Sequence, residues 1–319
     1  MSPASAAFAP ASIAAVWRLC KSWPMAAATE RVDRLTLRAG EGGLVVHADN
    51  LSVLEALPDA SVDLIYIDPP FNTGKPQSRR VLRTERADDG DRVGFQGARY
   101  RTTQLRETRF DDRFDDFQAF LEPRIGHAHR VLKPSGSFYF HIDYREVHYC
   151  KVAIDRIFGR DCFLNEIIWA YDYGARTTRR WPAKHDNILM YVRTKDAYHF
   201  DTAEVDRIPY MAPSLVGAEK AERGKLPTDT WWHTIVSPTG KEKLGYPTQK
   251  PLGILDRIVR ASCPKGGLVL DFFAGSGTTG AAALRAERRF LLVDTHMPAI
   301  EVMRRRFAGE PTVRFESWV

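Results

Sequence analysis

Residues 267–307 narrow the fold further than any other stretch, because two kinds of periodicity alternate within them. Residues 267–273 are an apolar run around Val269 and Leu270, 274–280 are small, and 281–289 have helical spacing. Residues 290–294 are apolar again and 298–307 return to helical spacing. The pattern predicts a strand, a glycine loop, a helix, a strand and a helix. Two strands joined through a helix lie parallel, and a parallel sheet is stable only when helices cover both of its faces. The expected class is α/β, with a doubly wound, mainly parallel sheet.

Within this unit Gly275-Ser276-Gly277-Thr278-Thr279-Gly280 fits the pattern G-x-G-x-x-G, and Asp294 follows seventeen positions after Gly277. Small residues let a ligand approach the backbone, helix N–H groups face it, and the second-strand carboxylate can take a ribose diol. NAD, FAD and S-adenosylmethionine sites all use this arrangement. Two details favour S-adenosylmethionine. Asp271 closes the first strand, where a carboxylate can face an amino acid's ammonium, and no second βαβ half follows to hold another nucleotide. A P-loop is excluded, since no Gly-Lys-Ser/Thr closes the loop.

A second stretch, Asp63-Leu64-Ile65-Tyr66-Ile67-Asp68-Pro69-Pro70-Phe71-Asn72-Thr73-Gly74, reads as a buried strand that stops at its carboxyl end. Pro69 and Pro70 fix φ and lack an N–H, so the backbone leaves the sheet as a rigid corner with free carbonyls. A planar amine can donate one hydrogen to the Asp68 carboxylate and one to the Pro69 carbonyl while Phe71 stacks on the attached ring. The quartet suits an exocyclic amine on a nucleobase. An Asp-Pro-Pro turn is the plainer reading, and the neighbouring motifs weigh against it.

The rest of the chain is organised around these two motifs. Residues 1–33, rich in Ala, Ser and Pro, are expected to be a disordered or loosely docked leader, with Met25 a candidate start of translation. Residues 34–200 are the catalytic half of the core, beginning with strands at 35–37 and 44–47 and a helix over 50–57. Inside it, residues 75–113 form a polar loop with eleven Lys/Arg against seven Asp/Glu, placed to touch phosphates behind the Asp68 corner. Further strands are expected at 137–143, 165–170 and 187–193, with a basic, aromatic loop at 171–185. His141 and Asp143 end one strand, and His141 reads as a packed or supporting residue rather than a base. Residues 201–245 are an inserted target-recognition module, in which Trp231 and Trp232 read as packing residues. Residues 246–319 are the cofactor-binding half.

With 319 residues, 44% hydrophobic and 27% charged, the chain can bury a full core. The 46 Lys+Arg against 40 Asp+Glu give a net charge of +6, which suits a polyanionic partner. Cys20, Cys150, Cys162 and Cys263 form no metal-ligand spacing and no disulfide framework, so no metal is expected and a reducing cytoplasm fits. No apolar run approaches a membrane span.

Taken in chain order, 67–74, Tyr246-Pro247-Thr248-Gln249-Lys250-Pro251 and Asp271-Phe272-Phe273-Ala274-Gly275-Ser276-Gly277-Thr278-Thr279 resemble the amino-group DNA methyltransferases of the permuted β class. The resemblance covers roughly 44–307 and implies the S-adenosylmethionine-dependent methyltransferase fold. It also implies methyl transfer from S-adenosylmethionine to the exocyclic amine of a flipped base in double-stranded DNA. Its site residues would be Asp68, Pro69, Pro70 and Phe71 for catalysis. Asp271, Phe273, Gly275, Ser276, Gly277, Thr278 and Asp294 would hold the cofactor, with Asp49 near its adenine and Thr248 and Lys250 at the pocket border. The usual loop has Pro where this chain has Phe272, and the second-strand acid is often Glu where this chain has Asp294. Asp-Pro-Pro-Phe leans toward N6 of adenine, with N4 of cytosine the alternative. A nicotinamide- or flavin-dependent oxidoreductase, resting on the glycine loop alone, is the alternative of another class. The resemblance leaves room for a homodimer and for a restriction endonuclease partner.

Overall fold

All the residues of β1 (Gly43–His47) and β2 (Val62–Ile67) are buried, as befits strands covered on both faces. The computed structural model describes residues 33–72, 77–86, 89, 92–93, 99–110, 114–174, 176–237 and 240–318. The expected leader thus lies, but for Asp33, outside the described residues. The chain divides at Thr36 into two units, and only Asp33–Thr36 of the first are described, with a turn of helix at 33–35.

In chain order, β1, α1 (Asn50–Ala56) and β2 lead into β3 (Gln77–Arg86), β4 (Arg92–Val93) and β5 (Arg99–Phe110). Then come α2 (Phe117–Val131), β6 (Leu132–Ile142), α3 (Val147–Phe158), β7 (Phe163–Ala170) and β8 (His185–Val192). After α4 (Ala218–Arg223) and β9 (Thr230–Trp232) follow α5 (Leu252–Ser262), β10 (Leu268–Asp271), α6 (Thr278–Arg285), β11 (Arg289–Asp294), α7 (Met297–Arg306) and β12 (Val313–Ser317).

The main sheet runs β12-β1-β11-β10-β2-β6-β8-β7-β9. Strand β8 is antiparallel to β6 and β7, and the other pairings are parallel. The expected doubly wound, mainly parallel sheet is therefore present. From β10 the chain steps outward to β11, whereas from β2 it steps the other way to β6, so the winding reverses between β10 and β2. Ligands of such sheets bind where the winding reverses, outside the carboxyl ends of the strands. Helix α5 closes one face, burying Ile254, Leu255, Ile258 and Val259 on its apolar side. At the opposite edge buried Asp63 ties β2 to its neighbours, accepting the Leu268 N–H at 2.9 Å and the Lys133 ammonium at 2.8 Å.

Four expectations change. Much of the segment read as a loop at 75–113 is a ribbon, in which β3 pairs antiparallel with β5 over Gln77–Phe110 to Arg86–Tyr100 and β4 pairs with the start of β5. Paired strands satisfy each other's backbone groups without an apolar face, so polar composition concealed them. Within residues 201–245 β9 pairs with β7 and Trp231 is buried, but Trp232, also read as a packing residue, is exposed. No strand forms at 35–37, since β1 already has β11 and β12 on its two sides. Strand β12, which was not expected, completes that edge. Among the described residues no helix is long and apolar enough to cross a membrane, and no three His, Cys, Asp or Glu are grouped to hold a metal.

Candidate active site

Where β10, β2 and β11 end, three carboxylates come together. Asp271 is the last residue of β10 and Asp294 the last of β11, while Asp68 follows β2 directly. The register sets Leu270 beside Ile65 and Asp271 beside Leu292, so Asp68 and Asp294 each stand two residues beyond the row of Asp271. Between them lies a cavity of about 540 Å³, large enough for a nucleoside-sized ligand. It is lined by Asp49, Asp68, Pro69, Pro70, Phe71, Thr248, Lys250, Asp271, Phe273, Gly275, Ser276, Thr278 and Asp294. The two motifs, far apart in sequence, thus share one hollow.

On the β2 side the corner is held from beyond. Asn72 adopts a left-handed conformation (φ 50°), donates to Glu146 at 2.9 Å and accepts the Phe114 N–H at 3.3 Å. Lys250 donates to Asp68 Oδ2 at 2.5 Å, and its ammonium stands 4.9 Å from the centre of the Phe71 ring. Asp68 Oδ1 is buried and has no hydrogen-bond partner among the described residues. A buried carboxylate oxygen left unpaired is costly, so this atom is an acceptor waiting for a donor. Lys250, expected at the border of the cofactor pocket, thus also touches the Asp68 carboxylate.

On the β10 side Asp271 accepts the Phe273 N–H at 3.0 Å and the Thr279 hydroxyl at 2.6 Å. Burial, reinforced by the charges of Asp68 and Asp294, pushes its carboxyl up to about 7 despite those two bonds. A ligand cation would restore the charged form. Asp294 accepts Gly275 N–H at 2.8 Å on one oxygen and His296 N–H at 2.8 Å on the other. Each oxygen keeps a lone pair, which suits the two hydroxyls of a ribose. The donor set fits a ligand carrying an ammonium and a ribose. It suits a pyrophosphate poorly, because Asp271 and Asp294 flank the loop that a phosphate would approach.

Gly277 departs from its expected role. It does not line the cavity; its backbone is left-handed (φ 72°) and its N–H bonds the Ala274 carbonyl at 2.8 Å. A Cβ placed there would meet Met303 Cγ at 2.8 Å and Phe307 Cε2 at 3.2 Å. Its smallness serves the packing of α7 beneath the loop, not a ligand above it. Asp49 caps α1 through the Leu51 N–H at 3.0 Å and lies 3.5 Å from the Arg124 guanidinium. Arg124 was not foreseen: it lies 3.9 Å over the Phe120 ring, donates to Asn50 Oδ1 at 2.7 Å and lines the cavity. Asn50 in turn donates to the Phe272 carbonyl at 2.8 Å, which ties α1 and α2 to the loop after β10. The signal that could have found Arg124 is a charged residue on the otherwise apolar side of a helix, beside Leu121, Ile125 and Ala128.

The family profile described as DNA methylase matches residues 62–305. The DNA adenine methyltransferase YhdJ of Escherichia coli (strain K12) is 30% identical over 274 residues, covering 83% of this chain and 83% of its own length. Among solved structures, the M1.HpyAVI complex with SAM superposes with a TM-score of 0.53 at 20% identity, covering 83% of this chain and 98% of that one. The cytosine-N4-specific PvuII DNA methyltransferase superposes with a TM-score of 0.54 at 16% identity, covering 86% of this chain and 95% of that one. The matched span holds the Asp68 corner, the Lys250 segment and the glycine loop, the same three parts that build the cavity, and the chain belongs to the DNA methylase family.

Proposed function

We propose that this DNA methyltransferase acts on N6 of adenine, using S-adenosylmethionine and duplex DNA in which the target base is flipped out. The observation that carries this reading is the unpaired Asp68 Oδ1 at a corner shared with the acidic, glycine-lined cavity. When bound, S-adenosylmethionine supplies an electrophilic methyl group on sulfur. Asp271 and Asp294 would hold its ammonium and ribose, and the Phe273 and Phe120 rings with the Arg124 guanidinium would line the side open to its purine. Asp68 Oδ1 and the Pro69 carbonyl accept the two hydrogens of the target amine, which aims the nitrogen lone pair along the line of transfer. Positioning and preorganised charge do most of this work.

An amine in a base pair lies within the stack, and extruding it costs a few kcal/mol. Stacking of a base on Phe71 returns ~1–3 kcal/mol. The remainder falls to phosphate contacts from basic segments such as 171–184, where Arg176, Arg179, Arg180 and the almost fully exposed Trp181 follow β7 at the edge of the sheet where β2 also ends. Residues 201–245, with Trp232 exposed, are the candidate for target recognition.

Adenine is favoured over cytosine by the Asp-Pro-Pro-Phe corner and by the YhdJ relative, which is named for adenine. The phenyl face of Phe71 also overlaps a purine better than a pyrimidine. Nucleoside mass spectrometry of DNA methylated by the purified protein tests it. N6-methyladenine is expected; N4-methylcytosine in its place would overturn the base assignment and leave amine methylation standing.

A further inference from the structure

Behind the catalytic corner lies a chain of buried polar groups for which base positioning has no use. His141 of β6 is fully buried. Its Nδ1 lies 2.7 Å from the Tyr66 hydroxyl and 4.0 Å from the unpaired Asp68 Oδ1, and its Nε2 lies 3.2 Å from Asp186 Oδ2 of β8. Asp186 also accepts the Tyr171 hydroxyl on its other oxygen at 3.0 Å. The imidazole is walled by the rings of Phe71 (5.8 Å between centroids) and Trp169 (5.5 Å). The titratable or charged groups facing it are therefore Tyr66 and Asp68 from the β2 side and Asp186 from β8. Tyr171 and Lys250 stand one step further out.

This geometry fixes the tautomer. Asp186 accepts the Tyr171 hydroxyl on one oxygen and faces His141 Nε2 with the other. With Asp186 as the acceptor, a proton of His141 sits on Nε2. Nδ1 then carries a lone pair, which takes the Tyr66 O–H. Burial keeps Tyr66 protonated, so it serves as a donor and not as a base. His141 thus presents a basic nitrogen toward Asp68, with a carboxylate behind it to balance a positive charge. Packing alone requires none of this, and buried polar groups cost stability unless each finds a partner.

We propose that the Asp186–His141 pair receives, through Asp68, the proton that the target amine sheds on methylation. As the N–C bond forms, the electron pair of the broken S–C bond stays on sulfur, and the nitrogen becomes positive. It regains neutrality by giving one proton to Asp68 Oδ1. Asp68 passes that proton to His141 Nδ1 across a gap that a shift of about one ångström closes to hydrogen-bond length. Tyr66 turns its hydroxyl to accept from Nδ1–H, and Asp186 balances the imidazolium. The proton returns to water once the products leave the cavity. His141 acts through Asp68 and is a positioning residue in that sense. The inference rests on Asp68 as the amine acceptor and holds for adenine and cytosine alike.

Three measurements test it. In the free protein, 15N NMR of labelled His141 should show its proton on Nε2 and a lone pair on Nδ1; a proton on Nδ1 in place of Nε2 would overturn the assignment. His141→Asn should leave cofactor affinity and base flipping, read by 2-aminopurine fluorescence, within twofold of wild type. It should also slow single-turnover methyl transfer about 10–100-fold and change the shape of its pH profile, which a merely structural residue would leave as it is. A wild-type rate and profile, or parallel loss of flipping and cofactor binding, would overturn the proposal. Asp186→Asn, which keeps an acceptor for Nε2–H but cannot balance the cation, should slow transfer in the same way if the His141 variant does not fold; an unchanged rate would overturn the proposal. Asp68→Ala separates the layers, since turnover surviving in that variant would remove the amine reading itself.

Discussion

Asp68 is a carboxylate with divided duties: Oδ2 is held by Lys250 and Oδ1 is left for the substrate. Removing it should cost methyl transfer ~10²–10³-fold, as for other preorganised polar groups at a reacting centre. Cofactor affinity measured by calorimetry should stay near wild type, because Asp271 and Asp294 are the residues proposed to hold that ligand; a matching loss of both would place Asp68 in the cofactor site instead. Asp271 predicts a pH dependence. Its folded value of about 7 lies above the ordinary carboxylate value, so between about pH 4 and 7 the folded free protein binds more protons than the unfolded chain. Its contribution to stability is complete below pH 4 and is lost as pH rises through 7. Asp294 is shifted in the same direction, so the comparison with Asp271→Asn isolates the one group. The melting temperature of that variant should fall less than wild type between pH 5 and pH 8, and its gain from added S-adenosylmethionine should lose the rise with pH that wild type shows. A variant that behaves as wild type in both respects would remove Asp271 as the ammonium's partner. Local chemistry made these residues legible in sequence: a carboxylate before two prolines and an aromatic, and a carboxylate before a glycine loop. Arg124 and Asn50 were not legible, since they reach the cavity only through the packing of α1 and α2 against the loop after β10.

The glycine loop shows where pattern reading misassigns a role within a correct motif. Gly275 and Gly277 occupy equivalent-looking positions, yet the space around them differs: a Cβ on Gly275 would face the Tyr246 ring at 3.1 Å beside the cavity, and one on Gly277 would strike α7. Gly277→Ala is therefore expected to destabilise the protein by ~1–3 kcal/mol through backbone strain and overpacking. It should lower the melting temperature while the folded fraction binds S-adenosylmethionine normally. A stable protein with lost cofactor affinity would return Gly277 to the ligand side. Strands β1, β2, β10 and β11 were legible because burial on both faces leaves a continuous apolar run. The ribbon β3–β5 and the edge strand β12 were not. The pairing of Arg83 with Thr103 and of Glu85 with Arg101 shows that a strand stabilised by its partner's backbone needs no hydrophobic alternation.

The cavity itself is acidic, with Asp49, Asp68, Asp271 and Asp294 on its walls, although the chain carries a net charge of +6. The basic excess must lie elsewhere, and it gathers in two places: the ribbon of residues 77–110 and the loop of 171–184. This division would suit the proposed reaction. Basic segments outside the cavity can meet a phosphate backbone, while an acidic interior can accept a cationic cofactor and a neutral base but repels phosphates. Most of the DNA affinity then comes from counterion release, and log K should fall linearly with log salt at a slope of about 0.9 per neutralised phosphate. Replacing residues 77–110 with a short Gly-Ser linker should flatten that slope by about 0.9 for every phosphate the ribbon neutralises. Cofactor affinity should not change, because none of the described residues that line the cavity belongs to the ribbon. If the slope is unchanged while S-adenosylmethionine still binds, the ribbon does not touch the backbone, and the phosphate contacts belong to the 171–184 loop alone.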